Sequence, residues 1–182
     1  MTARVEGIDI RDLPLPPEAD TVLTCGALPE GALAELVARH GLALVQVADG
    51  AGIPGSFWGD REAGIRGSNL YVRADTPVHS ALHEFCHLLC MDSARRRSVD
   101  TDAGGDFQEE DAVCYLQVLL ADHLAGMGRD RMFRDMDAWG YSFRLGSARA
   151  WFEQDAADAL EWLRARGLVD DRGAPAFRAR SA

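Results

Sequence analysis

The sequence contains no lysine and a single asparagine, Asn69. All 19 basic residues are arginine, which reads as the codon bias of a GC-rich genome rather than as chemistry. Positive charge is itself in deficit: 19 basic residues face 29 acidic ones, for a formal net charge of −10. A chain with that balance lacks the electrostatic footprint of a nucleic-acid binder or of a protein held on an anionic membrane. Long apolar runs are missing too. No stretch approaches the roughly 18 apolar residues of a membrane-crossing helix. The start, Met1 to Ile10, alternates charged and apolar residues without the apolar run of a secretory signal. These absences predict a cytoplasmic location. Cysteine is sparse and lacks CxxC spacing: Cys25, Cys86, Cys90 and Cys114. Such residues are expected to be small packing groups in a reducing compartment. There are no internal repeats. What remains is 182 residues, 47% hydrophobic and 26% charged, enough for one domain, 1–182, with a core of its own.

Within that ordinary composition stands one specific pattern, His83-Glu84-Phe85-Cys86-His87. It fits H-E-x-x-H, in which two histidines one helical turn apart bind zinc and the glutamate is a general base. Residues i and i+4 share a helix face, so both imidazoles reach one ion. A catalytic zinc site uses three protein ligands and keeps a position open. Glu84 follows the first ligand directly and is placed beside that open position. The segment is expected to be helical, with Thr76 as N-cap and Pro77 in the first turn. Val78, Leu82, Phe85 and Leu89 then form an inner stripe, with His83 and His87 on another flank.

A third ligand is expected from the next helical pattern, which opens at Gln108-Glu109-Glu110-Asp111 and runs to about Leu124. Glu109 heads an apolar stripe of Ala112, Val113, Leu116 and Leu120, so it points toward the packed side. A carboxylate there is costly unless paired or bound to metal. Glu109 is therefore the expected ligand, with Glu110, on a more mixed stripe, as the fallback. All three acids also suit the positive end of a helix dipole. His79 and His123 are poor ligand candidates. The first lies about 6 Å before His83 along the helix axis, and the second about 21 Å beyond Glu109.

HEFCH followed 22 positions after His87 by Glu109-x-x-Ala112 resembles the compact gluzincin-type metallopeptidases. The helix with Tyr115 and Leu119-Leu120 is similar to that of the ImmA/IrrE-like proteins. The likeness covers roughly residues 67–124. It implies a zincin-like fold, a His83, His87, Glu109 zinc site, and amide hydrolysis of a peptide or protein substrate. Larger gluzincins often carry an aspartate four residues after the ligand glutamate, hydrogen-bonding a zinc-bound histidine. Here that position is Val113, so another acceptor is needed.

The rest of the chain is expected to frame this site. Residues 1–28, Pro-rich, are extended. Pro29 to His40 is a helix ended by Gly41, and 42–47 is a strand. The stretch Asp49 to Gly67, with Phe57 and Trp58, is a loop or irregular hairpin beside the site. Ser68 to Arg73 is a second strand, either at a sheet edge where an extended peptide could pair with it, as the family likeness implies, or an ordinary interior strand. Arg95-Arg96-Arg97 reads as a solvated loop. Met127 to Trp139 is a helix, and Ser147 caps a last one running to about Arg166. The tail, 170–182, is polar and frayed. Tyr141, Arg144 and Tyr71 are the candidates for stabilising an oxyanion. The predicted fold class is α+β, a small twisted sheet of two to four strands against the HExxH helix, with further helices covering it. The competing reading is a metal-bearing regulatory or binding protein on a peptidase scaffold, because fold does not fix function.

Overall fold

A computed structural model describes residues 21–181. The expected extended segment 1–28 therefore lies outside the description up to residue 20. Residues 21–28 lie against the body: Val22 is buried, and the Val78 amide donates to the Leu23 carbonyl at 2.8 Å. Among the described residues the fold is α+β, with seven α-helices and one three-stranded sheet. None of these helices is long and apolar enough to cross a membrane.

The first helix, α1 (Ala32–Arg39), buries Leu33, Leu36 and Val37 and ends at His40, before Gly41 as expected. Strand β1 (Ala43–Gln46) follows. The next strand, β2 (Gly64–Arg66), falls inside the stretch expected to be loop or irregular hairpin, and it pairs antiparallel with β3 (Asn69–Val72). Its only large apolar residue is Ile65, and its first is a glycine, which weakens any strand signal. Gly64 is required by proximity: a Cβ there would stand 2.1 Å from the Pro54 carbonyl oxygen.

β1 pairs parallel with β3, so the sheet order is β1-β3-β2 and β3 is the middle strand. This overturns the edge reading of residues 68–73 and agrees with the interior-strand alternative. The outer side of β2 is also in use. The Ile65 amide donates to the Gly55 carbonyl at 3.2 Å, and the Ile65 carbonyl accepts from the Thr101 amide at 3.1 Å. An added peptide strand has no edge to pair with on that side.

Helix α2 (Val78–Cys90) carries HEFCH, and every one of its residues is buried. One side packs on β2 and β3, another on α4 (Phe107–Ala121). A helix apolar on most of its surface belongs in the middle of a fold. Thr76 is the expected cap, but Pro77 occupies the N-cap position. The Thr76 hydroxyl instead accepts from the Arg73 amide at 2.9 Å.

The arginine cluster is not a solvated loop. Ser93–Ser98 forms α3, with Asp92 as N-cap accepting from the Arg95 amide at 2.8 Å. Arg96 is only 9% exposed and donates to the carbonyls of Leu88 (2.7 Å), Met91 (2.8 Å) and Arg180 (2.6 Å). It thereby serves carbonyls that the end of α2 leaves without helical partners. Arg96→Ala is expected to cost about 2–3 kcal/mol of folding stability. Arg96→Lys should recover only part of this, because an ammonium lacks the planar fork. Urea unfolding of the two variants checks both expectations.

Helix α5 spans Arg129–Trp139. Ser147 caps the next helix as expected, accepting from Ala150, but the single final helix is broken at Asp155-Ala156 into α6 (Ala148–Gln154) and α7 (Ala157–Ala165). Asp155 leaves helical geometry and pairs with Arg144 at 2.8 Å. Up to residue 181 the tail is not frayed. The Arg180 amide donates to Leu89 at 2.9 Å, and Phe177 meets the His123 ring at 4.9 Å, so the segment covers the end of α2.

Candidate metal centre

The one-turn spacing does bring both imidazoles of α2 to one point. His83 Nε2 and His87 Nε2 stand 3.2 Å apart. The third corner is Glu110 from α4: its Oε1 is 3.0 Å from His83 Nε2, and its Oε2 is 3.5 Å from His87 Nε2. These donor atoms could hold a metal ion. The edges of the triangle test the fit. Bonds of about 2.0–2.1 Å from a tetrahedral centre put ligand atoms roughly 3.3–3.4 Å apart. The His83–His87 separation of 3.2 Å is close to that figure, and the two Glu110 oxygens, 3.0 Å from His83 Nε2 and 3.5 Å from His87 Nε2, lie on either side of it.

Glu109, the expected ligand, is turned elsewhere. It is 5% exposed, so the expectation of burial holds, but its partner is Arg95. The Arg95 guanidinium grips both carboxylate oxygens, one of them at 3.0 Å, and also donates to the Ala103 carbonyl at 2.9 Å. The correction is one residue, and its cause lies 14 positions upstream. A buried carboxylate needs a positive partner, and an arginine satisfies that need as well as a metal does. The 100° step between neighbours on a helix then aims Glu110 at α2 instead.

The chain matches no family model, no curated protein and no solved structure.

Gln117, two turns after Glu110, supplies the acceptor that Val113 cannot. It is fully buried. Its Nε2 donates to the His79 carbonyl at 2.9 Å. A carbonyl only accepts, so this contact fixes the amide's orientation and turns Oε1 toward His83 Nδ1, 3.1 Å away. His83 must then carry its proton on Nδ1, leaving the Nε2 lone pair facing His87 and Glu110. Sequence reasoning places Gln117 only on the stripe of Glu110. The available signal is a long polar side chain within an otherwise apolar run. His87 has no such help: its Nδ1 is buried without a hydrogen-bond partner. Gln117→Leu should weaken metal binding about 10–100-fold, as loss of such outer partners does. Competition against a chelator of known affinity measures this.

The three donors form an environment that wants one positive charge. Burial disfavours a charged His83, yet the adjacent Glu110 carboxylate more than offsets it, and its pKa rises well above the ordinary value. His87 is pushed down to about 3, by burial and by the neighbouring His83. A proton and a metal ion thus compete for the same nitrogen, so metal binding releases protons and strengthens as pH rises.

Glu84 lines the same cleft as both histidines and is 6% exposed. Burial, offset in part by His83, raises its pKa from 4.5 to about 7. The cleft has a volume of about 500 Å³. Phe57, Trp58 and the 101–107 segment complete its lining. Glu62 adds a second perturbed carboxylate, raised to about 7 by burial while accepting from Trp139 Nε1 at 2.9 Å.

None of the three oxyanion candidates lines the cleft. Arg144 is surface-exposed and paired with Asp155, and Tyr71 is on the middle strand. Tyr141 comes nearest, its ring 5.9 Å from that of His83 and its hydroxyl 3.2 Å from His79 Nδ1. His79 is not a ligand. It is buried against Trp139, with ring centroids 4.8 Å apart.

Proposed function

We propose that this protein is a zinc-dependent hydrolase that cleaves amide bonds in peptides, with the metal on His83, His87 and Glu110. The observation that carries the reading is the union of a two-histidine, one-carboxylate donor triangle with a buried carboxylate, Glu84, in one cleft. Three ligands and an open position are the pattern of catalytic rather than structural zinc. A bound zinc ion would supply Lewis acidity toward the amide carbonyl and would bring the pKa of water near 7.

The protein's own residues do the rest. Gln117 fixes the tautomer of His83. Glu84, with a pKa near neutrality, takes a proton from the attacking water as its oxygen bonds to the carbonyl carbon. It returns that proton to the nitrogen as the C–N bond breaks. No oxyanion donor is assigned among Tyr71, Tyr141 and Arg144, since none of them lines the cleft. The gluzincin likeness and a cytoplasmic setting belong to this proposal and rest on the motif and the composition.

The test is cleavage of a quenched-fluorescence peptide library by zinc-loaded protein. Turnover that is lost to a chelator and restored by zinc supports a hydrolase. Retention of peptides without cleavage favours the metal-bearing binding protein instead.

A further inference from the structure

We infer that the cleft selects peptides bearing a positively charged side chain, arginine or lysine, near the bond that is cut. This deepens the hydrolase reading and rests on it. One wall of the cleft is the segment 101–107, which brings two carboxylates, Asp102 and Asp106, to it. Glu84 and Glu110 also line it, committed in this reading to the attacking water and the metal, and among the described residues no arginine does.

The arginines nearest that wall are already engaged. Arg95 spends its guanidinium on Glu109 and the Ala103 carbonyl. Arg66 pairs with Asp100 at 2.8 Å. Those same contacts hold the wall in place. Asp102 Oδ1 accepts from the Gly104 amide and Asp106 Oδ1 from the Glu109 amide, each at 2.9 Å. Gly105, at φ +111°, lets the segment pass over Glu109, whose Oε1 would lie 2.9 Å from any Cβ there. Both aspartates are exposed, and each uses only one oxygen in these backbone contacts. The acidic wall is thus fixed before a ligand arrives, and a fixed wall costs little entropy on binding.

The aromatic lining suits the same guest. Phe57 and Trp58 meet edge to face with centroids 5.4 Å apart, and Phe107, 78% exposed, lines the same cleft. A cationic side chain has an apolar stem for such surfaces and a head that aromatic faces attract. A glutamate or aspartate in the substrate would face repulsion from Asp102 and Asp106, the two carboxylates of the cleft that neither the metal nor the attacking water engages.

The experiment uses zinc-loaded Glu84→Gln, which should hold a peptide without cutting it. Three fluorescent hexapeptides, identical except for Arg, Gln or Glu at one central position, are titrated and followed by anisotropy. The Arg peptide should bind about tenfold tighter than the Gln peptide, with the gap narrowing as salt is raised. Adding Asp102→Asn and Asp106→Asn should erase that gap and leave the Gln peptide unchanged, because asparagine keeps the Oδ1 acceptor in both backbone contacts. Equal affinity for all three peptides, tighter binding of the Glu peptide, or no binding of any would overturn the inference. Wild-type turnover of the same peptides separates the two claims. Cleavage without charge preference sinks the selectivity and keeps the hydrolase. Charge-selective binding without cleavage does the reverse.

Discussion

Glu110→Ala is expected to leave the protein unable to retain its metal, while Glu109→Gln binds metal as the wild type does. The two residues are neighbours on α4, both acidic and both largely removed from solvent, yet their carboxylates serve different partners. Glu110 completes the triangle with His83 and His87, at 3.0 and 3.5 Å. Its loss leaves two imidazoles, and affinity should fall by more than about 100-fold, the upper range for a mere outer partner. Glu109 instead neutralises Arg95, and glutamine keeps an acceptor for it. Glu109→Ala is the informative companion. It strands the Arg95 guanidinium, and because that side chain is 33% exposed the cost should stay near 2 kcal/mol rather than the larger penalty of a fully buried orphan charge. Metal content after dialysis, measured beside urea unfolding, separates a metal phenotype from a stability phenotype.

Glu84→Gln is expected to keep full metal occupancy and lose turnover by about 10²–10⁴-fold, the usual contribution of a positioned general base. The variant should also be more stable than the wild type in the metal-free state at alkaline pH. Glu84 has a folded-state pKa raised to about 7 by burial, against an ordinary 4.5. A raised carboxylate pKa means that the folded state prefers the protonated form. That preference stabilises the fold fully below about pH 4.5 and is lost as pH rises through about 7. At pH 8 the ionised group therefore costs on the order of 3 kcal/mol, since each tenfold change in proton affinity is worth about 1.36 kcal/mol. Glutamine removes that cost, so the gap between variant and wild type should open between pH 5 and 8 and close again in acid. A catalytic carboxylate held in a dry site at the expense of stability behaves in this way, whereas one placed for the fold would not. Thermal melts of chelator-treated protein across that pH range give the comparison.

The parts of this structure visible in the sequence are those set by local periodicity. HEFCH on a four-residue period and the apolar stripe of α2 place the two histidines correctly. Leu42 to Val47 and Ser68 to Arg73 place two of the three strands. What stays hidden depends on contacts far apart in sequence. Ile65 belongs to a strand only because Leu70 and Thr101 flank it. Arg96 is buried because the end of α2 and the returning tail present carbonyls to it. The choice between Glu109 and Glu110 is the hardest case. The stripe argument recognises that Glu109 faces inward but cannot see that Arg95, in a cluster that looks solvated, meets it there. Gln117 is hidden for a related reason: a polar residue inside an apolar run declares its task only when its partners on α2 are known.

The most direct measurement is anomalous scattering at the zinc edge from crystals of protein loaded with one equivalent of zinc. The account predicts a single peak bonded to His83 Nε2, His87 Nε2 and the Glu110 carboxylate at about 2.0–2.2 Å. A peak at any other place, a bond from Glu109, or no peak at that loading would contradict it.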